Sequence, residues 1–131
     1  MKHICFNKRF VNATGNDLIS GKIHTIRQNY DYWKKFESRE VALFTWEGKP
    51  YRSKQKVFCV KTIVSVQEVL FITDNNIPWF LINGMQLNSH ITMNDGFIDS
   101  DGIIDTKAFF DWFANYKSGK MAVLHFTDFR Y

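Results

Sequence analysis

The stretch from Lys56 to Thr73 reads KVFCVKTIVSVQEVLFIT, with no Gly and no Pro anywhere in it. Val, Ile, Phe and Thr favour extended backbone because branched and aromatic side chains pack well on a pleated surface. The run exceeds a typical strand of about five or six residues. It is therefore one long bent strand or two strands meeting near Ser65. Either way this chain must build a sheet, and the flanking segments have to extend or cover it. Glu40 to Trp46 is a further β-rich segment, closed by the turn Glu47-Gly48-Lys49-Pro50. Trp79–Ile82 and Met85–Leu87 read as a hairpin around Asn83-Gly84, a pair that tolerates the positive φ of a two-residue turn. His3–Phe6 is predicted as a short strand, Met121–Phe129 as the final strand, and Ile23–Arg27 as a short strand or extended turn.

Helical spacing is clearest over Asp105–Tyr116. Ile104, Ala108 and Trp112 recur on one stripe, and Phe109, Phe113 and Tyr116 on another. A second main helix is predicted over Phe10–Ile19, with Phe10, Val11, Thr14 and Leu18 near one face. Gly15 weakens it by about 1 kcal/mol relative to Ala, and Ser20-Gly21 would end it. Asn29–Phe36 reads as a loop with a short helical turn, and Asn88–Asn94 as a short helix. The expected architecture is α+β: a largely antiparallel sheet able to close into a barrel, with two main helices near residues 10–20 and 105–116. At 131 residues, 45% of them apolar and 17% aromatic, the chain is long enough for one domain over 1–131 with a core of its own.

Several function classes are excluded early. Cys5 and Cys59 lie far apart in apolar runs without CxxC spacing, which argues for reduced thiols and against a zinc site. The four histidines are scattered at His3, His24, His90 and His125; alternation turns His24 away from Thr25 and makes it a core or surface histidine. No cofactor motif is legible. Met1–Phe10 lacks the apolar centre of a signal peptide, and no apolar run reaches membrane-spanning length. A cytoplasmic location with no membrane partner is expected. Gly15 to Lys22 imitates a phosphate-binding loop but carries five residues, not four, before Gly-Lys, and Ile23 follows. The net charge of +4 is a mild bias toward anionic partners. It is unevenly spread: Lys and Arg prevail from Lys22 to Lys61, Asp from Asp95 to Asp111.

The string Ser20-Gly21-Lys22-Ile23-His24-Thr25-Ile26-Arg27 concentrates chemistry. On an extended segment Ile23, Thr25 and Arg27 share a face, with Lys22 at the turn before it. A hydroxyl between two cations suits an activated nucleophile or a phosphate grip. The plain alternative is a solvated strand edge. Further on, Tyr30, Tyr32, Trp33, Trp46 and Tyr51 alternate with Lys34, Lys35, Lys49, Arg52 and Lys54. Such interleaving suits stacking on single-stranded nucleic acid or a nucleoside; the alternative is amphipathic aromatics on an ordinary surface.

The Gly-Lys segment leading to Thr-x-Arg resembles the signature of ASCH domains, which belong to the PUA-like class of β-barrels. Met93-Asn94-Asp95-Gly96-Phe97 resembles that family's Asp-Gly-Phe element before a last helix, and Val123–Phe129 its closing strand. Phe44 to Asn83 matches no part of the pattern. Some small single-domain members are amidohydrolases that deacetylate 4-acetylcytidine. The resemblance implies catalytic roles for Lys22 and Thr25, a substrate-binding role for Arg27, and an acid at Asp95 where those enzymes have Glu. Tyr32, Trp33 and Trp46 are the aromatic candidates for substrate binding. The partner is then a modified nucleoside or single-stranded RNA. Two rivals stand beside the enzyme: a non-catalytic RNA-binding module, and an accessory interaction protein.

Overall fold

A computed structural model describes all of residues 1–131. The fold is α+β. Strand β1 (Lys2–Cys5) leads through β2 (His24–Gln28) and helix α1 (Tyr30–Lys34) to β3 (Glu40–Trp46), β4 (Gln55–Thr62), β5 (Ser65–Asp74), β6 (Ile77–Ile82) and β7 (Met85–Gln86). Helices α2 (Asn88–Asn94) and α3 (Thr106–Phe113) follow, then β8 (Gly119–His125). The long apolar run thus resolves into two strands breaking just before Ser65. The Asn83-Gly84 hairpin forms with both residues at positive φ, 52° and 78°.

The strands form two sheets, one of three strands ordered β1-β3-β4 and one of five ordered β2-β8-β5-β6-β7. All pairings are antiparallel except β1 with β3. No strand ladder joins the two sheets into one closed barrel, so the closure expected from the element order does not appear. Phe71, Phe80, Phe97, Phe109 and Phe113 fill the space between the five-stranded sheet and α3. Their edge-to-face and tilted contacts add to what area burial alone supplies. Asp105 caps α3 by accepting from the Ala108 N–H. No helix is long and apolar enough to cross a membrane.

The helix expected over 10–20 is absent. Only Lys8–Phe10 makes a 3₁₀ turn, and Val11 bridges Leu18 across a tight loop. The cause is local polar competition. Asn12 Oδ1 accepts from the Asn16 and Asp17 N–H groups, Asp17 Oδ1 from the Leu18 N–H, and Gly15 takes φ of 74°. Short polar side chains that bond nearby backbone offer the chain an alternative to helix. Phe10 and Leu18 are both buried, but from the end of the 3₁₀ turn and from the loop that follows it, not from one helix face. Cys5 and Cys59 are free thiols, each partly exposed rather than sealed in the core.

Candidate active site

Lys22 stands at the entrance to β2, just after Gly21 at φ 91°. An isolated bridge pairs its backbone with Asp95, and the Ile23 N–H donates to Asn94 O at 2.9 Å. Two segments over seventy residues apart in sequence are thereby held in register. The Lys22 ammonium donates to Asp95 Oδ1 at 2.9 Å and to Asp95 O at 2.8 Å. It also sits 4.3 Å from the centroid of the Phe10 ring. The pair is nearly sealed, with side-chain exposures of 2% and 5%. The turn Asp95-Gly96-Phe97 makes this possible. Phe97 is fully buried, which pins the turn, and Gly96 at φ 82° lets the chain reverse beside the lysine.

Thr25 and Arg27 share the next face of β2, as alternation predicts. Arg27 Nε donates to Thr25 Oγ1 at 3.3 Å and its Nη2 to Cys5 O at 2.7 Å. The guanidinium lies over the Phe6 ring, 4.9 Å from its centroid. Lys22, Thr25, Arg27, Asp95 and Trp33 all line one cavity of about 370 Å³. Trp112 and Tyr116, on and just beyond α3, form part of its wall. A cavity of this size is in the range of small-molecule sites. Two cations against one carboxylate leave it with a surplus positive charge.

Burial shifts the ionisation of each charged group. Desolvation pulls Lys22 below the ordinary lysine value, opposed by Asp95 and reinforced by Arg27 and Arg9. Arg27 is lowered by the same burial. For Asp95 burial acts upward, but Lys22 and His24 together outweigh it and hold the carboxyl below the usual range. The site therefore keeps a firm carboxylate beside an amine that is easier than usual to deprotonate.

Two aromatic candidates fall outside. Tyr32 is engaged elsewhere, its hydroxyl accepting from Lys2 Nζ at 2.8 Å. Trp46 lines a separate, more open cavity of about 530 Å³, which shares Cys5, Phe6, Asn7, Arg27 and Trp112 with the first.

His24 was not singled out from the sequence, yet it is fully buried with Nδ1 3.3 Å from the same Asp95 oxygen that Lys22 holds. Alternation predicts only that His24 turns away from Thr25; its contact with Asp95 depends on the distant turn at residues 94–97. Trp112 and Tyr116 were recognised only as helix-face residues. Compared with known protein families, curated proteins and solved structures, the chain matches none.

Proposed function

We propose that the cavity is an active site hydrolysing the N-acyl bond of a small modified nucleoside of the 4-acetylcytidine type, in a fold related to the PUA-like ASCH domains. The observation that carries the reading is Lys22, a nearly sealed amine tied to a carboxylate in a cavity that the Thr25 hydroxyl also lines. In its neutral form Lys22 Nζ takes the Thr25 hydroxyl proton as Oγ1 attacks the acyl carbon. The resulting ammonium is held by Asp95. Arg27, whose Nη1 has no acceptor within the protein, stabilises the oxyanion. The ammonium then returns its proton to the leaving amine and the C–N bond breaks. Water, deprotonated by Lys22, attacks the acyl-threonine, releasing the carboxylic acid and restoring the hydroxyl. Trp33 and Trp112 line the same cavity and supply apolar surface for the base to pack on.

The test is incubation with a panel of acylated and modified nucleosides, read by mass spectrometry. Release of the deacylated nucleoside and the carboxylic acid is expected. Thr25→Val, which keeps the shape and removes the nucleophile, should lower kcat by at least about 1000-fold. No turnover across the panel would sink the reading. Asp95→Asn is a poorer test than its sequence position suggests, because it strands a buried lysine at a cost of about 3–5 kcal/mol.

A non-catalytic RNA-binding module is the second reading, favoured by the shared lining between this cavity and the groove at Trp46. Its signature would be single-stranded RNA binding that weakens steeply with salt, through displaced counterions, with no effect of Thr25→Val.

A further inference from the structure

Asp95 Oδ1 is approached from two sides. Lys22 Nζ is one donor; His24 Nδ1 is the other. Behind His24, its Nε2 faces the Tyr131 hydroxyl at 2.5 Å, and Asn94 Nδ2 donates to that hydroxyl oxygen at 3.2 Å. Asn94 adjoins Asp95, so the chain of contacts nearly closes on itself. Tyr131 is itself held by backbone: Gln67 Nε2 donates to Tyr131 O at 2.8 Å, and the Tyr131 N–H donates to Gln67 Oε1 at 3.1 Å. Nothing in the hydrolytic steps above uses these groups.

Donor and acceptor counting fixes the direction of the relay. A carboxylate only accepts, so His24 Nδ1 carries the proton. The Tyr131 oxygen already accepts from Asn94. Its own O–H is then free to donate to a bare Nε2. Each buried group is satisfied in one arrangement: Asn94 to Tyr131, Tyr131 to His24, His24 to Asp95. Burial raises the Tyr131 phenol above its ordinary value, which keeps its proton in place for that bond. The His125 ring stands edge-on to His24 with centroids 5.5 Å apart, and its pKa is lowered to about 4, so it adds no charge there near neutral pH.

We propose that His24 is a positioning residue of this site, its Nδ1–H tautomer set by the Asp95 carboxylate and backed by the Tyr131 hydroxyl, so that it shares that carboxylate with Lys22. Sharing matters because a carboxylate that also serves a second donor attracts the ammonium less strongly. Lys22 then releases its proton more readily than it would beside an unshared Asp95. The other charged groups facing Lys22 are Arg27 from β2 and Arg9 from the 3₁₀ turn, and both push the same way. The catalytic meaning of this arrangement rests on the amide-hydrolysis reading, but the arrangement itself can be measured without a substrate.

The experiment uses the full chain labelled with ¹⁵N-histidine and ¹³C-lysine. Histidine ¹⁵N shifts should show His24 protonated on Nδ1 and bare on Nε2 near neutral pH. The free imidazole prefers the other tautomer, so the signature is distinctive. His24→Phe keeps an aromatic ring in the pocket and removes the second donor to Asp95. It should raise the Lys22 titration midpoint by roughly half a unit to one unit, because the carboxylate is no longer shared. A merely structural histidine would change thermal stability and leave the Lys22 midpoint alone. An Nε2–H or doubly protonated His24 in the unaltered protein overturns the proposal without any variant. So does a Lys22 midpoint that His24→Phe leaves in place. If the spectra behave as expected while the nucleoside panel stays inert, the relay stands and the hydrolase reading falls.

Discussion

Gly96 is where the candidate site leaves least room. A Cβ built there would lie 2.9 Å from Lys22 Cβ and 3.2 Å from its Cγ and Cδ. The φ of 82° adds strain for any residue with a side chain. Gly96→Ala should therefore cost about 2 kcal/mol or more and displace the Lys22 stem from Asp95. Chemical denaturation measures the first effect; the Lys22 resonance measures the second. Gly21, also at positive φ, has open space around it. Gly21→Ala should cost only the backbone strain, about 1 kcal/mol, and leave Lys22 where it is. At this scale the sequence was legible where spacing is short. Lys22, Thr25 and Arg27 fall within six residues, and one turn-to-strand junction sends them to one cavity. The Gly96-Phe97 pair, which marks a sharp, anchored turn, argued for the inward aim of Asp95, and Asp95 itself was reached through the resemblance to an Asp-Gly-Phe element. His24 and Tyr131 were not, because their roles depend on a fit between segments more than a hundred residues apart.

Strand β6 shows how a short element can protect a sheet. Its partner β7 reaches only Leu81 and Ile82, which would leave the edge nearer Pro78 unpaired. Asn88, the first residue of α2, fills the gap. Its Oδ1 accepts from the Phe80 N–H at 2.8 Å and its Nδ2 donates to Pro78 O at 2.7 Å. The side-chain amide thus imitates a neighbouring strand and caps an edge open to aggregation. Asn88→Ala should cost about 2–4 kcal/mol, because it strands two buried backbone groups. Asn88→Asp should lie between, keeping the acceptor and losing the donor. Urea titrations would rank the three proteins, and equal stability of all three would refute the cap. Periodicity found α3 and the hairpin because their patterns are local. It failed over residues 10–20, where Asn12, Asp17 and Gly15 decided the backbone against an apolar spacing that looked helical.

The whole molecule is set by long-range pairing, which no local pattern encodes. The parallel match of β1 with β3 joins Lys2 to Val41, and β2 meets β8 across the length of the chain. Element order fits an open pair of sheets as well as a closed barrel, and that choice is the part the sequence left unread. The same long-range pairing sets the response to pH. It brings His125 beside His24 and buries it completely; its Nε2 meets Gln67 Oε1, and its Nδ1 has no partner. Burial is the main reason its pKa falls from 6.5 to about 4, with His24 and Arg130 adding to the effect. The folded state thus refuses a proton that the unfolded state accepts between those values. As pH falls through 6.5 the unfolded state gains, and stability drops until the folded histidine also titrates near 4. Below that, the loss continues as the lowered carboxyls of Asp95, Glu37 and Asp17 protonate and surrender their partners. Thermal melts should show Tm roughly 5 °C or more lower at pH 4.5 than at pH 7. His125→Leu should flatten that first decline and leave the second below pH 4 in place. A Tm independent of pH between 7 and 4.5 in the unaltered protein would mean that His125 takes up its proton in the folded state, and that its burial between β2, β5 and the segment after β8 is looser than the packing implies.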